Sequence, residues 1–144
     1  MDDLSYVLGQ LHKLQQEDAH LRGQMDLNAI TAVGHSLGGA AIWELVQRKP
    51  LLKAGVLLDP SFHLLAFDDA CTVDAPLLVL RQERTTFEEL EGSMSSSVLE
   101  PFLQGHERLY NRLTGLKRFR RVKGSHHMSF CDVPLHFNEA GGQM

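Results

Sequence analysis

The 144-residue sequence lacks the marks of several common classes of protein. Its two cysteines, Cys71 and Cys131, have neither the paired spacing of a zinc site nor the number of a disulfide framework, which favours a reducing compartment. The 14 Lys and Arg residues are outnumbered by 18 Asp and Glu residues, so no excess positive charge is available for phosphates and we expect no nucleic-acid partner. The first residues lack the basic start and apolar stretch of a signal peptide, and no later stretch is long enough to cross a bilayer. These absences predict a soluble, cytoplasmic chain.

Apolar residues make up 43% of the sequence, which is enough for the core of one domain spanning residues 1–144. Leucines recur at helical spacing up to about Asp18, and short apolar runs without polar alternation predict buried strands. The alternation favours an α/β fold, with a mainly parallel sheet of about four strands flanked by helices on both faces. The later helices are predicted at 37–48 and 98–113, and the strands at 29–33, 54–58, 77–80 and 119–122.

A Gly-x-Ser-x-Gly turn lies between the first predicted strand and the second helix, with Ser36 at its centre. Such a turn holds a serine clear of the sheet in a strained backbone, and Gly34 and Gly38 remove side chains that would obstruct the bend. The helix that follows directs free N–H groups at the site, so the Leu37 N–H is a candidate oxyanion donor. The pattern predicts Ser36 as a nucleophile. The alternative is a glycine-rich or phosphate-binding turn with an incidental serine.

A serine nucleophile needs a base and an acid, and in this fold they follow it in the order acid, then histidine. The base candidates are His126 and His127, which follow the last strand, whereas earlier histidines such as His35 are more simply structural. Asp59 ends the strand after the nucleophile and Glu83 follows the next strand, so either carboxylate could orient an imidazole. Position alone favours Asp59 over Glu83 only slightly.

Neither a metal nor a cofactor is predicted. His126, His127 and Asp132 are close in sequence, but adjacent histidines point in different directions and their spacing matches no familiar zinc motif. The basic residues around the last strand could contact lipid headgroups in a transient membrane-surface contact, although charges on an edge strand usually discourage strand pairing.

Four segments in order resemble the plasma-type (group II) platelet-activating factor acetylhydrolase family, including its bacterial relatives. They are MDLNAI at 25–30, VGHSLGGA at 33–40, GVLLD at 55–59 and GSHHMSFCD at 124–132. The resemblance implies the C-terminal portion of an α/β-hydrolase fold, with Ser36 as nucleophile, Asp59 as acid and His127 rather than His126 as base. It also implies a metal-free serine esterase that hydrolyses a short or oxidised acyl ester of a glycerophospholipid.

Members of that family carry a longer N-terminal half, which includes the loop for the second oxyanion donor. Because losing one such donor costs roughly two to three orders of magnitude in rate, we expect the chain alone to be a weak catalyst. We also expect the apolar edge of the nucleophile strand to be covered by a missing N-terminal segment or by self-association. Two alternatives remain open. One is a serine carboxylesterase or thioesterase acting on soluble esters, with Phe62, Leu64, Leu65 and Phe67 shaping an acyl pocket; the other is a non-catalytic fragment or interaction module that retains the triad.

Overall fold

A computed structural model of the chain describes residues 2–48, 52–68, 71–83 and 91–137. Two short 3₁₀ helices, Phe62–Leu64 and His127–Phe130, lie in the connections between the main elements. No helix in these ranges is long and apolar enough to span a bilayer. The α-helices are α1 (Asp2–Glu17), α2 (Leu37–Arg48), α3 (Ser96–Arg112) and α4 (Val133–Phe137), and the strands are β1 (Thr31–His35), β2 (Ala54–Leu58), β3 (Leu77–Gln82) and β4 (Lys117–Val122).

The four strands form one parallel sheet in the order β1-β2-β3-β4. Each strand therefore lies beside the next one in sequence, and Leu57 pairs with Val79, which in turn pairs with Phe119. The predicted α/β fold with a parallel sheet flanked by helices is confirmed. Because all four strands run in the same direction, the segments that follow them meet along one edge of the sheet.

The main core lies between one face of the sheet and helices α2 and α3. Leu57 and Val79 project from the sheet into this layer and are fully buried. Trp43 of α2 is also fully buried, and its indole N–H donates to the Ala66 carbonyl at 3.0 Å. An indole in a core needs such an acceptor, since an unpaired buried N–H would cost stability. This layer fixes the sheet against the helix that follows the glycine turn at Ser36.

The opposite face of the sheet differs from the expectation that both faces are covered. Val33 is 63% exposed, and the apolar side chains of Val56, Leu58, Leu78 and Leu80 are only half-buried. None of the five belongs to the core cluster of the described residues. Apolar strands that lack polar alternation predict a covering layer on this face, and the part of the chain that the structure describes does not supply it.

Gly105 allows α3 to approach the segment after β2. A methyl group at this position would collide with the backbone carbonyl oxygen of Phe62. The contact brings the start of the 3₁₀ helix at Phe62 against α3, where Phe62 is buried and packs edge-on against Phe102 with ring centroids 5.2 Å apart. Helix α3 thereby supports the chain that leaves the carboxyl end of β2.

We expect Gly105→Ala to lower the free energy of unfolding by about 1–3 kcal/mol, because the added methyl forces a backbone shift at Phe62. Gly9→Ala is the matched control, since a methyl at Gly9 in α1 meets nothing within 4 Å and alanine favours a helix by roughly 0.5–1 kcal/mol. Urea denaturation gives the free energy of unfolding of both variants and of the parent chain. Equal stability of the Gly105→Ala variant and the parent would contradict the packing described.

His106 of α3 is packed between aromatic rings on the same side of the sheet. Its ring centroid lies 5.1 Å from that of Phe62 and 5.3 Å from that of Phe119. Burial, followed by the positive charges of Arg81 and Arg121, lowers the pKa of His106 from its usual 6.5 to about 4. The imidazole is therefore neutral in the folded protein near pH 7, and it acts as part of the core.

The lowered pKa of His106 predicts a pH dependence of stability. As pH falls below about 6.5, the unfolded chain takes up a proton at this residue, and the folded chain does so only near pH 4. The free energy of unfolding should therefore decrease as pH falls through this window. His106→Phe should flatten that slope in urea denaturation measured across the window, whereas His12→Gln on the exposed side of α1 should not. An unchanged slope in His106→Phe would refute the assignment.

Candidate active site

Ser36 occupies a strained turn at the carboxyl end of β1. Its φ of 55° lies in the left-handed region that non-glycine residues rarely adopt. The turn is fixed because the Ser36 N–H donates to the Leu58 carbonyl at the end of β2, at 2.9 Å. A side chain at Gly34 would meet the Gly38 carbonyl oxygen at 2.5 Å, so glycine is required there. The strand, the tight glycine turn and the helix follow one another as the motif predicts.

The second glycine of the motif behaves differently from the expectation. A methyl group at Gly38 would meet no other atom within 4 Å, so Gly38 does not itself relieve a side-chain collision. The tight contact falls one residue later, because a methyl at Gly39 would lie 2.9 Å from Pro60 Cβ. Gly39 thus lets the first turn of α2 pack against the segment that follows β2.

Leu37 begins α2 directly after the nucleophile turn. The first four N–H groups of a helix have no acceptor within that helix, and they carry a partial positive charge. The Leu37 N–H is one of these groups, while its side chain is 64% exposed. This N–H lies directly after Ser36, at the positive end of the α2 dipole.

Asp59 lies at the carboxyl end of β2 in a second left-handed turn, with φ of 42°. Its N–H donates to the Leu80 carbonyl at 2.7 Å, and its side chain is almost fully buried. One carboxylate oxygen accepts the Gln82 N–H at 3.2 Å, and the other lies 2.7 Å from His127 Nδ1. The carboxylate is thus oriented from both sides.

His127 connects the other two side chains. It begins the 3₁₀ helix after β4, where its Nδ1 lies 2.7 Å from Asp59 Oδ2 and its Nε2 lies 3.1 Å from Ser36 Oγ. The contact with a carboxylate assigns a proton to Nδ1, which leaves Nε2 free to accept the Ser36 proton. His126 is exposed, and its backbone N–H donates to Ser129 Oγ at 3.1 Å. The structure therefore brings Ser36, Asp59 and His127 together.

Glu83, the alternative acid, has a different set of partners. Its carboxylate accepts the Gly124 N–H at 2.6 Å, and its own N–H donates to the Ser125 carbonyl at 3.1 Å. Gly124 has a φ of 73°, which suits glycine at this bend. These bonds join the end of β3 to the loop that carries His127, beside a cavity of about 290 Å³. Glu83 thus anchors the loop and does not contact the imidazole.

Two further side chains touch the site without being identified from the sequence. His35 Nε2–H donates to the His127 carbonyl at 3.0 Å, and the two rings are 4.6 Å apart. Ser61 lies two residues after Asp59, with its hydroxyl oxygen 3.3 Å from Ser36 Oγ. The position of His35 next to Ser36 in the glycine turn could have indicated this contact, but the sequence supports only a structural role for it. No sequence pattern singles out Ser61.

The apolar residues expected to shape an acyl pocket are instead mostly part of the packing. Phe62 is 1% exposed, and the Phe67 ring lies 5.5 Å from that of Trp43, with the Arg108 guanidinium above it at 4.3 Å. Leu64 alone among the large residues of this stretch is prominently exposed, at 54%. Within the described ranges, no three His, Cys, Asp or Glu side chains lie close enough together to hold a metal ion.

The chain is similar in sequence to known platelet-activating factor acetylhydrolases. The family model for platelet-activating factor acetylhydrolase, isoform II, matches residues 6–144. Two curated platelet-activating factor acetylhydrolases are similar to the chain: that of Cavia porcellus is 24% identical over 124 residues, and that of Gallus gallus is 29% identical over 126. Each alignment covers 86% of this chain and 26% of the relative, so the chain spans about a quarter of their length.

A solved structure resembles the chain as well. The ferulic acid esterase from Streptomyces cinnamoneus superposes with a TM-score of 0.69 and 31% sequence identity. The match covers 95% of this chain and 35% of that esterase. The similarity thus extends over nearly the whole chain.

Proposed function

The chain belongs to the platelet-activating factor acetylhydrolase, isoform II, family, and we propose that it carries the catalytic centre of a serine esterase. The proposed substrate is a glycerophospholipid with a short or oxidised acyl ester. The observation that carries the proposal is the continuous hydrogen-bonded path from Ser36 Oγ through His127 to the buried Asp59, with contacts of 3.1 and 2.7 Å. Family membership supports the ester bond as the target.

In the proposed mechanism, His127 Nε2 accepts the hydroxyl proton of Ser36 as Ser36 Oγ attacks the ester carbonyl carbon. The carbonyl oxygen becomes negatively charged, and the Leu37 N–H donates a hydrogen bond to it. The tetrahedral intermediate collapses when the bond to the leaving alcohol oxygen breaks, and His127 returns the proton to that oxygen. Water then attacks the acyl-enzyme by the same route, which releases the carboxylic acid and restores Ser36.

The environment of Asp59 suits the role of the acid in this mechanism. Its side chain is 4% exposed, whereas that of His127 is 40% exposed. A buried carboxylate next to an imidazole stabilises the imidazolium that forms during attack, and it fixes the proton on Nδ1. The more open imidazole edge remains accessible to substrate and water. The buried Asp59 and the more exposed His127 thus suit an acid that acts only through the base.

A second candidate function is hydrolysis of a soluble ester such as a hydroxycinnamoyl ester. It is favoured by the 31% identity to the ferulic acid esterase, which is higher than the identity to either curated acetylhydrolase. Among the described residues, Leu37 next to Ser36 and Leu64 on the segment after Ser61 present clearly exposed apolar side chains.

The test combines labelling with substrate selection. We expect a fluorophosphonate probe to label the purified chain, Ser36→Ala to abolish the labelling, and Ser97→Ala on the exposed start of α3 to retain it. In parallel, kcat/KM is measured for a short-acyl phosphatidylcholine and for methyl ferulate. A higher value for the phospholipid supports the first proposal.

The other outcomes are equally informative. A higher kcat/KM for methyl ferulate would favour the second candidate. Labelling that survives Ser36→Ala would refute Ser36 as the nucleophile. A folded chain that is neither labelled nor active on either ester would instead favour a non-catalytic interaction module.

A further inference from the structure

Ser61 is in contact with the nucleophile and has no role in the proposed mechanism. Its hydroxyl oxygen lies 3.3 Å from Ser36 Oγ, on a segment that the motif does not include. We propose that Ser61 is a positioning residue: its hydroxyl donates a hydrogen bond to Ser36 Oγ and holds that oxygen in line with His127 Nε2. This inference rests on the proposed function, because it concerns the same nucleophile.

The backbone around Ser61 is fixed in relation to Ser36. The left-handed turn at Asp59 redirects the chain after β2, and the Ser61 N–H then donates to the Ser36 carbonyl at 3.1 Å. Pro60 between them is fully buried and lies against Gly39 of α2. Ser61 is therefore held to the residue whose side chain it touches. Proximity of the two hydroxyls follows from this backbone and does not depend on a freely rotating loop.

The hydrogen-bonding capacity of each atom determines which hydroxyl donates. A serine oxygen carries one proton and two lone pairs. In the neutral imidazole with its proton on Nδ1 facing Asp59 at 2.7 Å, His127 Nε2 is an acceptor, which assigns it the Ser36 proton at 3.1 Å. Ser36 Oγ can then only accept from Ser61. In the described part of the chain, the Ser61 hydroxyl has no other hydrogen-bond partner.

This bond acts at two points of the reaction. Before attack, it restricts Ser36 Oγ to the rotamer that faces His127, so less side-chain freedom is lost on reaching the reactive geometry. During attack, the Ser36 proton moves to His127 and negative charge grows on Oγ, which strengthens a hydrogen bond donated by a neighbouring hydroxyl. Ser61 keeps its own proton throughout. Its distance of 3.3 Å indicates a weaker bond than that to His127.

The opposite polarity would have the opposite effect. If Ser36 donated its proton to Ser61, that proton would be directed away from His127, and Ser61 would hold the nucleophile in an unreactive state. Removal of the Ser61 hydroxyl would then accelerate attack. A role in packing alone would instead depend on side-chain shape and not on the hydroxyl. The three cases give different results for substitutions at this position.

The experiment measures the second-order rate constant for labelling of Ser36 by a fluorophosphonate in the full chain and in three variants. Ser61→Ala removes the hydroxyl, while Ser61→Thr and Ser61→Val form a matched pair of nearly equal shape that differs in the hydroxyl. We expect Ser61→Ala and Ser61→Val to react about three- to tenfold more slowly, and Ser61→Thr to remain within about twofold of the parent. With an ester substrate, kcat should fall by a similar factor at an unchanged KM.

Each other result overturns the inference. Equal losses in Ser61→Thr and Ser61→Val would assign the effect to shape, and faster labelling of Ser61→Ala would establish the reverse polarity. An unchanged rate in Ser61→Ala would show that the contact has no influence on the nucleophile. If the parent chain is labelled normally in these cases, the proposed function stands. If the folded parent is not labelled at all, the proposed function and this inference fail together.

Discussion

The contact between the buried Asp59 carboxylate and His127 Nδ1 is the interaction on which the arrangement of the site depends. It joins the end of β2 to the loop after β4 at 2.7 Å, across the end of the intervening β3. It assigns the proton to Nδ1, and that assignment makes Nε2 an acceptor for Ser36. A buried carboxylate without this partner would be costly to the fold as well as to the proposed chemistry. The fold at this edge of the sheet and the proposed chemistry therefore depend on the same hydrogen bond.

The loops that follow β1, β2 and β3 are each held by the same kind of backbone hydrogen bond. The first residue after a strand donates its N–H across to the next part of the site: Ser36 to the Leu58 carbonyl, Asp59 to the Leu80 carbonyl, and Glu83 to the Ser125 carbonyl. Ser36 and Asp59 do so in left-handed conformations, which cost roughly 1–2 kcal/mol each. The hydrogen bonds and the packing of Pro60 against Gly39 offset that strain. The same turns place Ser61 and His35 against the reactive side chains.

Much of the fold could be predicted from the sequence, because the spacing of apolar residues differs between helices and buried strands. Helix α2 and strand β2 have the predicted bounds, whereas β1 begins at Thr31 and continues to His35, since pairing with β2 sets its ends. Cover on both faces of the sheet was expected from the same apolar runs. The described residues place the core on one face only.

The site was only partly predictable. The glycine turn indicates Ser36, but position favours Asp59 over Glu83 only slightly. The choice of His127 over His126 comes from the family resemblance alone. Which of two neighbouring candidates reaches the site depends on the direction of the backbone after each strand. That direction is set by tertiary hydrogen bonds and not by residue type. The roles of Glu83 as a loop anchor and of Ser61 beside the nucleophile depend on the same turns.

We propose that Ser36, His127 and Asp59 act as one unit. The most direct measurement is the rate at which a fluorophosphonate modifies Ser36 in Asp59→Asn, compared with Glu83→Gln. An asparagine amide would donate to His127 Nδ1 and shift the imidazole proton to Nε2, which could then no longer accept from Ser36. We expect a fall of roughly three to four orders of magnitude for Asp59→Asn and a rate within about tenfold of the parent for Glu83→Gln. An undiminished rate in a folded Asp59→Asn variant would contradict joint action of the three residues.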